Sequence, residues 1–119
     1  MADPAAPQSV QEGVHEARIE TREAASGRFA VLGELVFATA RRISERAIHE
    51  FSACTARSLA VDLSGVRVAD SAGLAVLIVW LEWAHANARE LTFSGLPAGI
   101  RALARISEVE GVLERAARA

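Results

Sequence analysis

A single cysteine, Cys54, stands among 119 residues. No internal disulfide can form, and the expectation is a reducing compartment, the cytosol. Cationic excess is missing as well. The formal net charge is −2 and the pI is near 5.9, with no stripe of Arg or Lys interleaved with aromatics, so nucleic acid is not an expected partner. The most hydrophobic stretch, Leu74 to Leu81, is closed by Glu82, far short of the roughly 20 residues a membrane span needs. Met1 to Gly13 is mostly Ala, Pro, Gln and Ser, without a cationic start or an apolar run. No secretory signal is expected there.

Catalytic and metal-binding patterns are missing too. His15, His49 and His85 are widely spread and have no ligand spacing with one another or with Cys54. Gly95-Leu96-Pro97-Ala98-Gly99 lacks the Lys–Ser/Thr ending of a phosphate loop. Ser71 sits between Asp70 and Ala72, outside any Gly-x-Ser-x-Gly elbow. Asp62 and Asp70 do not pair as an acid/base couple. The expectation is a non-enzyme that needs neither metal nor other cofactor.

What is present is apolar: 51% of the residues are hydrophobic, enough for one domain with a real core. Residues 1–13 read as a disordered tail, 14–114 as the domain and 115–119 as a C-terminal tail. A weak strand pattern begins around Val14 to Thr21. Arg28 to Leu35 is the first firm strand, with Gly33 as a bulge or close-approach point. Val36 to Ala53 changes to helical period. Phe37, Ala40, Ser44, Ala47, Ile48 and Phe51 are placed on its sheet side, and Arg41, Arg42, Glu45 and His49 on the other. Ser58 to Leu63 reads as a central strand and Ser64 to Ala69 as the loop after it. A second helix runs from Asp70-Ser71 to about Asn87, followed by a strand at Leu91–Ser94. A third helix starts at Pro97, and from Glu108 onward a short helical turn frays. Strand–helix–strand units of these lengths predict parallel pairing with right-handed crossovers, in a small mixed sheet with helices mainly on one face.

The second helix carries the most information. On a wheel of about 100° per residue, Leu74, Leu77, Trp80, Leu81, Ala84 and Ala88 gather on the sheet side. Ser71, Ala75, Ile78, Glu82, His85 and Arg89 gather on the outer side, with Val76, Val79 and Trp83 on the flanks. Trp80 reads as core. Ala75 and Ile78 form an apolar gap above Ser71. Asp70 and Ser71 admit two readings: plain capping of the helix start, which stabilises by about 1 kcal/mol, or an exposed hydroxyl that touches a partner or takes a phosphate favoured by the helix dipole.

The run Gly33-Glu34-Leu35, then Val61-Asp62-Leu63-Ser64, then Asp70-Ser71-Ala72-Gly73-Leu74, with Leu91–Leu96 and Ile100–Leu103–Ile106 after it, resembles a STAS domain over about Ala17 to Leu113. That family includes the anti-sigma factor antagonists. Those antagonists carry their phosphorylated hydroxyl immediately before the glycine, where this chain has Ala72. The order hydroxyl–small–glycine in Ser71-Ala72-Gly73 is more similar to the MlaB-like branch, the STAS subunits of Mla-type phospholipid transporters. After Gly33-Glu34-Leu35, many STAS domains have Asp or Asn where this chain has Val36.

The resemblance implies an α/β STAS fold and a protein-binding role. The implied partner is the ATPase subunit of an ABC transporter that maintains outer-membrane lipid asymmetry, which would keep the chain cytoplasmic and peripheral to the inner membrane. Asp70, Ser71, Ala75, Ile78 and Glu82 are the expected contact residues; phosphorylation of Ser71 is not assumed, and Ser71 is the hydroxyl a kinase would have to use. The alternative is an anti-sigma factor antagonist regulated by a serine kinase, and weak homodimerisation through Ile78 is left open. A small enzyme or ligand carrier is the weakest of the readings, for want of a catalytic set.

Overall fold

The apolar run Arg28–Leu35 forms the second strand of a five-stranded sheet in the computed structural model, which describes residues 16–118. The strands are β1 (Ala17–Glu23), β2 (Arg28–Leu35), β3 (Ser58–Ala69), β4 (Glu90–Ser94) and β5 (Ala117–Arg118), and they neighbour one another in that order. Only β1 and β2 are antiparallel; the other pairs are parallel. Parallel neighbours need crossovers. These are α1 (Phe37–Ala53), α2 (Ser71–Ala86), and α3 (Ala98–Ile106) with α4 (Glu110–Ala116). The expected mixed α/β sheet is therefore present. The expected tail at residues 1–13 lies outside the described residues, as does Val14.

Side-chain alternation along β3 separates the faces. Leu59, Val61 and Leu63 are buried under the helices, while Ser58, Ala60 and Ser64 on the opposite face are exposed. The core joins the sheet to both long helices through aromatic contacts. Phe29 of β2 meets Phe51 of α1 edge-on at 5.1 Å, and Phe51 meets Trp80 of α2 at 5.6 Å and 86°. Such near-perpendicular pairs place a ring edge on a ring face, a favourable quadrupole arrangement. Trp80 is fully buried, as its place on the wheel predicts.

Four expectations need correction. Ser64–Ala69 is not a loop. β2 is long enough to keep pairing there, with Leu32 opposite Gly65, Gly33 opposite Val66 and Leu35 opposite Ala69. Register shifts around Leu32 and Gly33 take up the irregularity. Gly33, at φ +103°, is the expected point of close approach. A Cβ there would collide with the Glu16 carbonyl, the same group that accepts the Glu34 N–H at 2.8 Å.

The second correction concerns α1. Its buried line is Thr39, Ile43, Ala47 and Phe51, and Phe37 points away from the core, 84% exposed. Thr39 is admitted to the interior because its hydroxyl is satisfied, donating to the Glu34 carbonyl at 2.6 Å and accepting the Val36 N–H at 3.1 Å.

The third is Arg89, which does not lie on the outer face of α2. The helix ends at Ala86, and Ala88 turns the chain with a positive φ of 57°. Arg89 is thereby swung inward, where its guanidinium donates to the Ala56 carbonyl at 3.1 Å and covers the Trp83 ring at 5.6 Å. The C-terminal stretch is also more ordered than a fraying turn. Buried Leu113 and Ala116 anchor α4, and β5 then pairs with Phe93 and Ser94.

Candidate helix-start docking surface

β2 and β3 end side by side, so α1 and α2 begin side by side. Asp70 stands at this junction, and its backbone N–H reaches the Leu35 carbonyl at 3.3 Å. One carboxylate oxygen accepts the N–H groups of Ala72 and Gly73 at 2.9 and 3.2 Å, an N-cap for α2. The other oxygen accepts the Phe37 N–H of α1 at 3.1 Å. Capping is thus the observed use of Asp70, which is half-buried, whereas Ser71 beside it is exposed.

Gly73 is required by the same junction. It is buried, and a Cβ would collide with the Leu35 carbonyl and press on the Leu35 side chain. The helix start therefore sits against the end of β2 more closely than any side chain permits. Gly73→Ala is expected to lower stability by about 2 kcal/mol, since the obstacle is backbone and cannot rotate away. Urea unfolding measures this directly, and an unchanged midpoint would mean that α2 can shift along the sheet at no cost.

Of the other expected contact residues, Ala75 and Glu82 are exposed, and Ile78 is half-buried against the core. Ile78 is therefore a smaller part of the outer surface than its wheel position implies. The apolar surface lies on the other flank of α2, in a shallow open groove between the two helices. It is lined by Phe37, Ala40, Ala72, Ala75 and Val79 with Arg41 at its rim, and its volume is about 450 Å³. Val79 is 42% exposed, so the groove has an aromatic wall on α1 and an aliphatic one on α2. Small alanines form its floor. The sequence pattern puts Phe37 on a sheet side and Val79 on a flank; the exposed surface joins them to Ala75.

The groove holds little charge. Arg41 pairs with Glu45 at 3.4 Å, both well exposed, and such a pair contributes little to stability. Asp62 lies on the uncovered sheet face, where the Ser64 N–H at 2.9 Å, helped by the Ser64 hydroxyl and by Arg22, holds its carboxyl below the usual carboxylate range against a small desolvation cost. Among the described residues no cluster of three or more His, Cys, Asp or Glu is placed to hold a metal ion. No helix there is long and apolar enough to cross a membrane.

Comparison with known proteins agrees with this fold. The family described as "Mlab, STAS domain" matches residues 20–114. No curated protein sequence matches the chain. Among solved structures, the anti-sigma factor antagonist SpoIIAA in its unphosphorylated form superposes with a TM-score of 0.64 at 11% identity, covering 87% of this chain and 86% of its own. A sulfate transporter family protein from Wolinella succinogenes gives 0.62 at 16% identity, with 82% and 80% covered. A variant of RsbS from Moorella thermoacetica gives 0.54 at 17% identity, with 75% and 78% covered. At these identities the structural likeness establishes a shared fold.

Proposed function

This chain belongs to the STAS domain family, in the group described as Mlab, and from that premise we propose that it is a non-enzymatic subunit that binds the ATPase of an Mla-type phospholipid ABC transporter. STAS domains are protein-interaction domains. The observation that carries the proposal is the groove between the helix starts, where Phe37 and Val79 stand exposed on either side of Ala72 and Ala75. An aromatic side chain left 84% exposed next to an open apolar surface supports reading the groove as a contact surface for another protein.

In this reading Ser71, Ala75 and Glu82 border the contact and Asp70 shapes it. The bound domain favours one arrangement of the ATPase through differential contacts with it. The complex holds the chain at the cytoplasmic face of the inner membrane. Ser71 acts as a contact, and the residue before Gly73 is Ala72, which cannot accept a phosphate.

The test is capture of the purified ATPase subunit by the wild-type chain and by Ser71→Asp. Ser71 opens α2, where a carboxylate suits the helix dipole, so the variant folds as well as the wild type. Binding by the wild type and a loss of about tenfold or more in the variant is expected for a charge placed at a desolvated contact. Failure of the wild type to bind the ATPase, together with capture of a serine kinase that phosphorylates Ser71, would instead assign the chain to an anti-sigma pathway.

A further inference from the structure

The carboxylate of Asp70 bonds to two helices that are far apart in sequence. Ala72 and Gly73, which it caps with Oδ1, belong to its own helix. Phe37, whose N–H it accepts with Oδ2, lies 33 positions earlier. That second bond answers a local deficiency. The N-cap position of α1 is Val36, whose side chain has no acceptor to offer, and the first N–H groups of a helix have no partner within it. The nearby hydroxyl, on Thr39, is engaged with the Val36 N–H and the Glu34 carbonyl. The first N–H of α1 is therefore satisfied from the start of α2.

We propose that Asp70 is a positioning residue for docking: a clamp between the helix starts that fixes the spacing of Phe37 and Ala40 on one wall of the groove from Ala72, Ala75 and Val79 on the other. The inference rests on the groove being the partner site. An ionised carboxylate has acceptor sites on both oxygens and can hold both helices at once; an asparagine has one acceptor oxygen, and its NH₂ would face an N–H donor. Asp70→Asn therefore keeps the cap on α2 and releases α1. Adding Val36→Ser gives α1 a cap of its own without rejoining the helices.

Two measurements on the full chain test the clamp: amide hydrogen exchange resolved by residue, and affinity for the purified ATPase subunit. In Asp70→Asn the Phe37 amide is expected to exchange about tenfold faster or more, as befits a lost charge-assisted bond, while the amides of Ala72 and Gly73 keep their protection. ATPase affinity falls about tenfold. In the double variant Asp70→Asn with Val36→Ser, the melting temperature recovers and the affinity does not. Unchanged exchange at Phe37 in Asp70→Asn would overturn the clamp whatever the partner does. Recovery of affinity along with melting temperature would reduce Asp70 to a cap and overturn its positioning role. A wild-type chain that does not bind the ATPase subunit contradicts the proposed function instead, and the exchange pattern then decides the clamp on its own.

Discussion

Replacing Trp80 with alanine is expected to destabilise the domain by about 4 kcal/mol, the cost of removing a large aromatic from a fully packed interior. Trp80 has no exposed surface and meets Phe51 edge-on, and through Phe51 it is linked to Phe29 of the sheet. It therefore joins α2, α1 and β2. Native domains are stable by only about 5–15 kcal/mol, so the loss is a large fraction of the total. Trp80→Phe is expected to behave very differently. The indole N–H has no hydrogen-bond partner among the described residues, and a buried unsatisfied donor costs about 1–3 kcal/mol. Phenylalanine removes that donor while leaving a ring against Phe51, so the two effects oppose each other and the net change stays within about 1.5 kcal/mol. Urea melts of both variants measure the contrast. A Phe variant as damaged as the Ala variant would mean that in solution the N–H does have a partner, such as a buried water.

Phe37→Ala is expected to have the opposite profile. Phe37 is 84% exposed and makes no use of the core, so its removal leaves stability within about 0.5 kcal/mol of wild type. Alanine is also a better helix former than phenylalanine at this position. Affinity for the ATPase subunit, by contrast, falls about 30-fold or more, since an aromatic anchor at the centre of a docking surface contributes about 2 kcal/mol or more on truncation. Calorimetric titration alongside a thermal melt separates the two effects. Intact binding by a folded Phe37→Ala chain would remove the groove from the interface and leave the outer face of α2, around Ala75 and Glu82, as the contact.

Most of the architecture was legible in the sequence because strand and helix periods are strong where a segment has one buried face. Arg28–Leu35 and the helix from Ser71 were placed to within a residue or so. The strand after Leu63 was hidden because Ser64-Gly65 reads as a turn. What holds those residues extended is β2 alongside them, and pairing of that kind is not encoded locally. The misplacement of Phe37 has a related cause. On the wheel it lies about 100° from the middle of the line Thr39–Ile43–Ala47–Phe51, and a hydrophobicity pattern counts an aromatic at the margin as core and a threonine as surface. Only the Glu34 carbonyl, which accepts the Thr39 hydroxyl, reverses that order.

The site was partly legible for the same reason. Asp70-Ser71-Ala72-Gly73 marked a helix start, and its position after β3 placed it at the end of the sheet. That Asp70 also holds α1 was not visible, because it depends on two strands ending side by side. A valine at position 36 was the available signal, read from sequence as a departure from many STAS domains. In the folded chain it is the reason α1 takes its first hydrogen bond from a neighbour.

The parallel pairing of β2, β3 and β4 also governs the order in which the molecule can assemble. The β1–β2 hairpin closes over a short turn and can form on its own. Each later strand must return across a helix: Ser58 meets Glu90, 32 positions away, and Arg28 meets Ala60 at a similar remove. Each return gives up loop entropy before any ladder hydrogen bond compensates for it. The folding barrier is thus set by chain closure more than by helix formation. A nascent chain that has not yet made β4 has no strand to cover the outer edge of β3, and the central strand of the finished sheet is, for that interval, an open one.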